Sequence, residues 1–240
     1  MKAMILAAGV GSRLRPLTDT TPKALIDVGG APMIERVIRR LQTAGVTEIV
    51  INLFHLGDRI VEFLASKGNF DLRIAFARER ELLDTGGGLK NAAWFFDDGL
   101  PFFLHNVDVL SDIDLTALLR FHTDAGSLAT LAVQRRPSSR QLLFDANGRL
   151  VGRETPQGAE WARRPVAPVE RLGFTGIHVI DPAIFSKMSE TGVFPITRAY
   201  LRLAEEGEKV VAYRADGQYW LDIGSPEQLA QARRRPGERG

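Results

Sequence analysis

The run Leu6-Ala7-Ala8-Gly9-Val10-Gly11-Ser12-Arg13-Leu14-Arg15-Pro16-Leu17-Thr18-Asp19-Thr20-Thr21-Pro22-Lys23-Ala24-Leu25 decides how this chain reads. It follows a short apolar segment, Lys2 to Leu6, with the character of a buried strand. Gly9 and Gly11 let the backbone come close to an anion and turn its N–H groups inward. Arg13, Arg15 and Lys23 add positive charge on long side chains. This is the makeup of a loop that wraps a polyphosphate. Two common phosphate loops fail on the residues. A dinucleotide fingerprint needs a third glycine where Leu14 stands, and Pro16 and Pro22 forbid one long helix across the loop. The string G-x-x-x-x-G-K-[ST] is absent.

Outward from the loop, apolar runs alternate with amphipathic stretches. Strands are expected at Ala3–Ala7, Glu48–Leu53, Leu72–Phe76, Phe102–His105, Ser127–Gln134 and Phe174–Ile180. Helices are expected at Met33–Ala44, Leu56–Lys67, Gly87–Phe96 and Leu115–Thr123. In the first of these, Met33, Ile34, Val37, Ile38 and Leu41 form one stripe, and Gly45 stops the helix. Strand alternating with helix predicts an α/β fold, a Rossmann-like, mostly parallel sheet with helices on both faces. Ligands then sit at the carboxyl ends of the strands, where the Leu6–Leu25 loop emerges. After about Pro137 the rhythm changes. Gln141–Phe144 and Arg149–Gly152 read as a hairpin around Asn147-Gly148. Gln157 to Arg171, with Pro165, Pro168 and several charges, reads as a mobile loop and a candidate lid. Helices at Pro182–Met188, Pro195–Glu206 and Pro226–Arg235, and a strand at Lys209–Arg214, complete one domain over 1–240. Its expected halves are 1–136, which carries the glycine loop, and 137–240.

Composition narrows the function. The 240 residues are 45% hydrophobic and 25% charged, ordinary for a globular domain with a core of normal size. A net charge of +2 gives no bulk attraction to nucleic acid, and Arg233-Arg234-Arg235 reads as a solvated helix end. The absence of cysteine excludes disulfides, thiolate metal sites and cysteine nucleophiles. No apolar run approaches the roughly 20 residues of a membrane span, and the first residues lack a cleavage-like tail, so a cytoplasmic location is expected.

Transfer of a phosphoryl or nucleotidyl group needs charge neutralisation, commonly a divalent metal on one or two carboxylates with substrate phosphates completing its shell. Asp108 ends the apolar strand Phe102–Val107, and Asp222 ends the aromatic strand Tyr219-Trp220-Leu221 before a glycine turn and a helix start capped by Ser225. Asp112 and Asp114 read as turn and cap residues ahead of Leu115. The turn Leu82-Leu83-Asp84-Thr85-Gly86-Gly87-Gly88 opens a helix and suits an anion or a flat base against backbone. A carboxylate just upstream, Glu79 or Glu81, would accept from the N–H edge of guanine. His55, His105, His122 and His178 lack a shared spacing and form no ligand set, and no G-x-S-x-G elbow exists.

The quoted run closely resembles the N-terminal signature of the sugar-1-phosphate nucleotidyltransferases, L-A-A-G-x-G-x-R-x-x-P-L-T and then P-K. Leu6, Ala7, Ala8, Gly9, Gly11, Arg13, Pro16, Leu17, Thr18, Pro22 and Lys23 stand at its fixed positions. Two further strings are similar to that family: Asn106-Val107-Asp108, with valine where the family has glycine, and Trp220-Leu221-Asp222-Ile223-Gly224-Ser225-Pro226-Glu227. The resemblance spans nearly the whole chain. It implies nucleotide binding by Leu6, Ala7, Ala8, Gly9, Gly11, Ser12, Arg13, Glu81, Thr85, Gly86, Gly87 and Asn106. Arg13 and Lys23 would act in catalysis, and Asp108 and Asp222 would hold Mg²⁺. Lys23, Glu154, Thr175 and Gly176 would bind the sugar phosphate. The partners implied are an NTP and a sugar-1-phosphate, with no nucleic acid or membrane, in a monomer or small homo-oligomer. Within the family the L-x-T-G-G-G form is similar to the uridylyltransferase branch. The nearest type acts on N-acetylmuramate-1-phosphate in cell-wall recycling. Guanylyl, thymidylyl or cytidylyl transfer to mannose-1-phosphate, glucose-1-phosphate or phosphocholine stays open, as does a nucleotide-binding regulator on the same fold.

Overall fold

Strand β1 (Lys2–Leu6) shows why the sheet is covered on both faces: Met4 and Leu6 enter one hydrophobic core, Ala3 and Ile5 another. The same alternation runs through β4 (Glu48–Leu53) and β6 (Phe102–Asn106), where Val50, Phe102 and Leu104 share the first core and Ile49, Ile51 and Phe103 the second. This computed structural model describes residues 1–138 and 141–234. Between β1 and β4 lie α1 (Leu17–Thr20), the small hairpin β2 (Asp27–Val28) and β3 (Ala31–Pro32), and α2 (Met33–Thr43). Then come α3 (Gly57–Ser66), β5 (Arg73–Arg78) and α4 (Asp84–Asn91), and, after β6, β7 (Val109–Ser111), α5 (Leu115–Ala125) and β8 (Ala129–Gln134). The later elements are β9 (Gln141–Phe144), β10 (Leu150–Thr155), β11 (Gly158–Trp161), β12 (Glu170–Ile180), α6 (Ile184–Lys187), α7 (Ile196–Glu205), β13 (Val210–Arg214), β14 (Trp220–Asp222) and α8 (Pro226–Arg234).

Among the described residues, ten strands form one sheet in the order β11-β10-β9-β12-β6-β1-β4-β5, with β8 and β13 branching from β12. Strands β6, β1, β4 and β5 are parallel neighbours, as are β8 and β13, while β12 runs antiparallel to β6, β8 and β9. The sheet is the mixed, mostly parallel one expected from the alternation. Helices α2, α3 and α5 cover one face through Val37, Leu41, Ile60, Leu64 and Leu118. Helices α4, α6 and α7 cover the other through Leu89, Ile184, Ala199 and Tyr200. Asp114 caps α5 by accepting the Ala117 N–H at 2.9 Å, a contact worth about 1 kcal/mol.

A third, small core lies off the sheet. It joins Leu14 of the glycine loop, Ile26, Val28 and Met33 to Leu221, Ile223, Leu229 and Ala232 near the other end of the described chain. It fixes the glycine loop against β14.

Two expectations need correction. The stretch 157–171 is sheet at its two ends: Gly158 turns the chain at a φ of +114°, β11 pairs with β10 (Thr155 opposite Gly158, Gly152 opposite Trp161), residues 162–169 form neither helix nor strand, and β12 begins at Glu170. Its prolines and charges hide a hairpin whose order comes from cross-strand partners. The helix expected at Gly87–Phe96 starts at Asp84 and ends at Asn91, with a tighter turn at Ala93–Phe95. The closing helix is described to Arg234, and Arg235 lies outside the described residues.

Candidate active site

The glycine loop leaves β1 with its backbone held from inside. The Ala7 N–H donates to Asn52 Oδ1 at 2.7 Å. Gly11 adopts a φ of +64°, and a Cβ there would stand 2.8 Å from Thr18 Cγ2. The Gly11 carbonyl accepts from Thr18 Oγ1 at 2.9 Å and from the Leu14 N–H at 2.8 Å. That turn sinks Leu14 into the small core and leaves Arg13 on the surface. Gly9 differs: a Cβ there would touch nothing within 4 Å, so the fold itself does not demand glycine at this position on the cleft wall.

Opposite the loop stand the two acids. Asp108 follows β6, and its carbonyl accepts the Ile223 N–H at 3.0 Å. Strand β14 pairs with β7 so that Asp222 lies opposite Val109, which brings the two acids together from distant parts of the sequence. The Lys23 ammonium forms an ion pair with the Asp108 carboxylate. Asp222 Oδ1 accepts the Gly224 N–H at 3.3 Å. A Cβ on Gly224 would lie 2.7 Å from Arg13 Nη2 and 3.2 Å from Asp222 Oδ1, so this glycine leaves the slot in which the Arg13 guanidinium lies beside Asp222. Asp112 pins the same junction from behind, exchanging bonds with the Tyr219 backbone at 2.5 and 3.1 Å.

These groups border a cleft of about 460 Å³. Of the residues singled out from sequence, Leu6, Ala8, Gly9, Gly11, Ser12, Arg13, Lys23, Thr85, Asn106 and Asp108 line it. Ala7 lies behind the wall, and Asp222 abuts it through Gly224. Gly86 and Gly87 are buried under the 192–194 segment: a Cβ on Gly86 would stand 2.3 Å from the Phe194 ring, and one on Gly87 2.6 Å from the Gly192 carbonyl. Glycine costs a helix about 1 kcal/mol per residue, and here that cost secures the close approach of α4 to its neighbours. The Thr85 hydroxyl accepts the Ile196 N–H at 2.9 Å. Glu81 is exposed, and the carboxylate on the cleft is that of Glu79.

The sugar-side candidates are engaged with the protein. Glu154, on β10, pairs with Arg171 at 3.1 Å. Thr175 is 1% exposed and its hydroxyl donates to the Ala132 carbonyl at 2.7 Å, while its own carbonyl accepts from Trp220 Nε1 at 2.8 Å. Gly176, at a φ of +78°, makes room for Asn106, whose Nδ2 would lie 2.5 Å from a Cβ there. Glu154, Thr175 and Gly176 are not among the cleft-lining residues. Sequence reasoning missed Asn52 and Arg136, and it offered Glu79 only alongside Glu81. The Arg136 guanidinium stacks on Trp220 at 3.8 Å and donates to the Phe174 carbonyl at 2.7 Å; burial pushes its pKa down, against the pull of Asp222.

No histidine is among the cleft-lining residues. Burial pushes His105 and His122 down to about 4, and His178 to about 3, so all three are neutral at pH 7. His105 Nδ1 donates to the Asn106 carbonyl at 2.7 Å, and His178 is bonded to the Tyr200 hydroxyl at 2.7 Å. His55 is tied to the Thr18 carbonyl at 3.1 Å.

Residues 2–237 match the family described as Nucleotidyl transferase. The chain belongs to that family. This nucleotidyltransferase is 38% identical over 238 residues to the N-acetylmuramate alpha-1-phosphate uridylyltransferase of Neisseria meningitidis serogroup B, covering 97% of this chain and 96% of that one. It is 31% identical over 232 residues to a mannose-1-phosphate guanyltransferase of Debaryomyces hansenii, covering 95% of this chain but only 62% of the length of that relative. Its fold matches UDP-glucose pyrophosphorylase from Acinetobacter baumanii with a TM-score of 0.78 at 20% identity, covering 96% of this chain and 91% of that one.

Proposed function

We propose that this nucleotidyltransferase acts on a sugar-1-phosphate and moves a uridylyl group from UTP to N-acetylmuramate-1-phosphate. The observation that carries the reading is one cleft in which a glycine loop with Arg13 and Lys23 faces Asp108 and Asp222. The choice of base and sugar rests on the near full-length likeness to the meningococcal enzyme.

The nucleotide would lie on the 1–136 half and the acceptor against the 137–240 half. An oxygen of the acceptor phosphate attacks the α-phosphorus, the bond to the β-phosphate oxygen breaks, and pyrophosphate leaves. No protein nucleophile is needed, because the acceptor is already an anion. Arg13 and Lys23 neutralise charge on the phosphate oxygens, and backbone N–H groups of the glycine loop add donors. Asp108 and Asp222 suit Mg²⁺: two hard carboxylates beside open space fit an ion whose shell is completed by substrate phosphates. Bound there, Mg²⁺ would supply Lewis-acid charge neutralisation. The setting that goes with this activity is cytoplasmic recycling of a cell-wall sugar.

A second reading, guanylyl transfer to mannose-1-phosphate, is favoured by Glu79, an acceptor-only group on the cleft that suits the N–H edge of guanine. One experiment separates them: pyrophosphate release with Mg²⁺ across UTP, GTP, dTTP and CTP against a panel of sugar-1-phosphates. The highest rate is expected at UTP with N-acetylmuramate-1-phosphate. A maximum at GTP with mannose-1-phosphate would overturn that choice in favour of the second reading.

A further inference from the structure

Asn52 plays no part in the proposed reaction, yet it is 3% exposed at the edge of the cleft and hydrogen-bonded on both sides. In the parallel register it lies beside Leu6, the last residue of β1. Its Oδ1 holds the Ala7 N–H at 2.7 Å, and its Nδ2 donates to Glu79 Oε1 at 2.7 Å. The other oxygen, Glu79 Oε2, accepts the Leu83 N–H at 3.0 Å, and the Glu79 N–H is held by the Leu53 carbonyl at 2.8 Å. A chain of three hydrogen bonds thus crosses from the glycine loop to the turn that opens α4. The helix accommodates it: a Cβ on Gly88 would stand 2.8 Å from Asn52 Nδ2 and 2.9 Å from Glu79 Oε1. The third glycine of the triplet is the gap through which this chain passes.

The two walls joined in this way carry different chemistry. One holds the loop amides, Arg13 and Lys23, and is cationic; the other holds no cation and is lined by Leu82, Val193 and Thr85 with the carboxylates of Glu79 and Asp84. An NTP long enough to touch both fits only if their separation is right. We infer that Asn52 and Glu79 form a strut that sets the distance between the phosphate-binding and base-binding walls. They are positioning residues, acting through Ala7 and Leu83. The inference rests on the reading of the cleft as an NTP site. Its signature follows from linkage: a strut helps a ligand that engages both walls and is indifferent to one that engages a single wall.

Calorimetric titration of the full chain with UTP and with inorganic triphosphate, each with Mg²⁺, tests this. For Asn52→Ala the affinity for UTP is expected to fall on the order of 10- to 100-fold, the scale of one hydrogen bond to a charged group, while that for triphosphate stays within about twofold. Asn52→Asp keeps the shape but turns a second carboxylate toward Glu79, and is expected to lose at least as much UTP affinity. If Asn52→Ala does not fold, Glu79→Gln, which can accept only one of the two bonds at its amide, should show the same selective loss on a smaller scale. Equal losses for UTP and triphosphate, or no loss in either variant, would overturn the strut. A wild-type protein that binds triphosphate but no NTP would instead defeat the reading of the cleft.

Discussion

Along the wall from Leu6 to Lys23, groups face the cleft from loops whose internal bonds are made elsewhere. Gly9 has open space where a side chain would be, and Arg13 projects from a turn anchored by Leu14. Along the wall of β10 and β12, the polar side chains singled out from sequence are engaged within the fold: Thr175 with Ala132, Glu154 with Arg171. The difference teaches how to weigh a motif. A residue type that the fold does not require, such as glycine at position 9, points to something outside the chain. A residue that completes the sheet's own bonding explains itself and says less about a ligand.

The largest effect that would break this comparison is at the acids. Asp108→Ala and Asp222→Ala are each expected to lower the rate of pyrophosphate release by about 10³-fold with native circular dichroism. Lys23→Ala should cost about 10²- to 10³-fold, since the lysine supplies charge and the Asp108 partner remains. Wild-type turnover in any of these removes that residue from the chemistry.

On the other wall the expected effects are on stability. Thr175→Val removes a buried hydroxyl bonded to a carbonyl and should cost about 1 kcal/mol in urea unfolding, with the KM for the acceptor unchanged. Glu154→Ala breaks an exposed ion pair, and its effect on stability should stay below about 1 kcal/mol. A several-fold rise in acceptor KM for either variant, without loss of stability, would move that residue from architecture to binding and erase the contrast.

A separate effect concerns pH. His105, His122 and His178 are held neutral by burial, at about 4, 4 and 3. In the unfolded chain they titrate near 6.5, at about the model-peptide value. Between those values the unfolded chain binds protons that the folded one does not. Their contribution is therefore complete above pH of about 6.5 and is lost as acid carries the pH down through about 4. Urea midpoints measured from pH 7.5 to 4 should fall over this window, and a flat profile would show that burial does not hold these rings neutral. Activity should show no step near pH 6.5 from His105.

Much of the glycine-loop wall was legible because it is local. Gly9, Gly11, Arg13 and Lys23 lie within fifteen consecutive positions, and a motif of that kind survives without knowledge of tertiary contacts. The two acids were legible as strand ends, but their meeting depends on β7 and β14, three-residue strands too short to leave a period-two pattern. The choice between Glu79 and Glu81 turned on the phase of the chain leaving β5: the Glu79 N–H bonds to Leu53, whereas Glu81 lies in the exposed turn. Asn52 did leave a signal, a polar amide inside the otherwise apolar run Ile49–Leu53 of β4. Its use depends on a partner 27 residues away, which no local pattern announces. The hairpin of β10 and β11 was obscured by charges that, once folded, pair across the strands, as Arg153 does with Glu160.

The small core that joins Leu14 and Ile26 to Leu221, Ile223 and Leu229 has a consequence for the order of assembly. All ten strands of the main sheet lie between residues 2 and 214, upstream of β14. During synthesis the ribosome therefore delivers every strand of the sheet while the glycine loop still lacks its partner and Asp108 its companion acid. A chain stalled at that stage holds every strand of the main sheet and still lacks the apolar cluster that seats the glycine loop against β14.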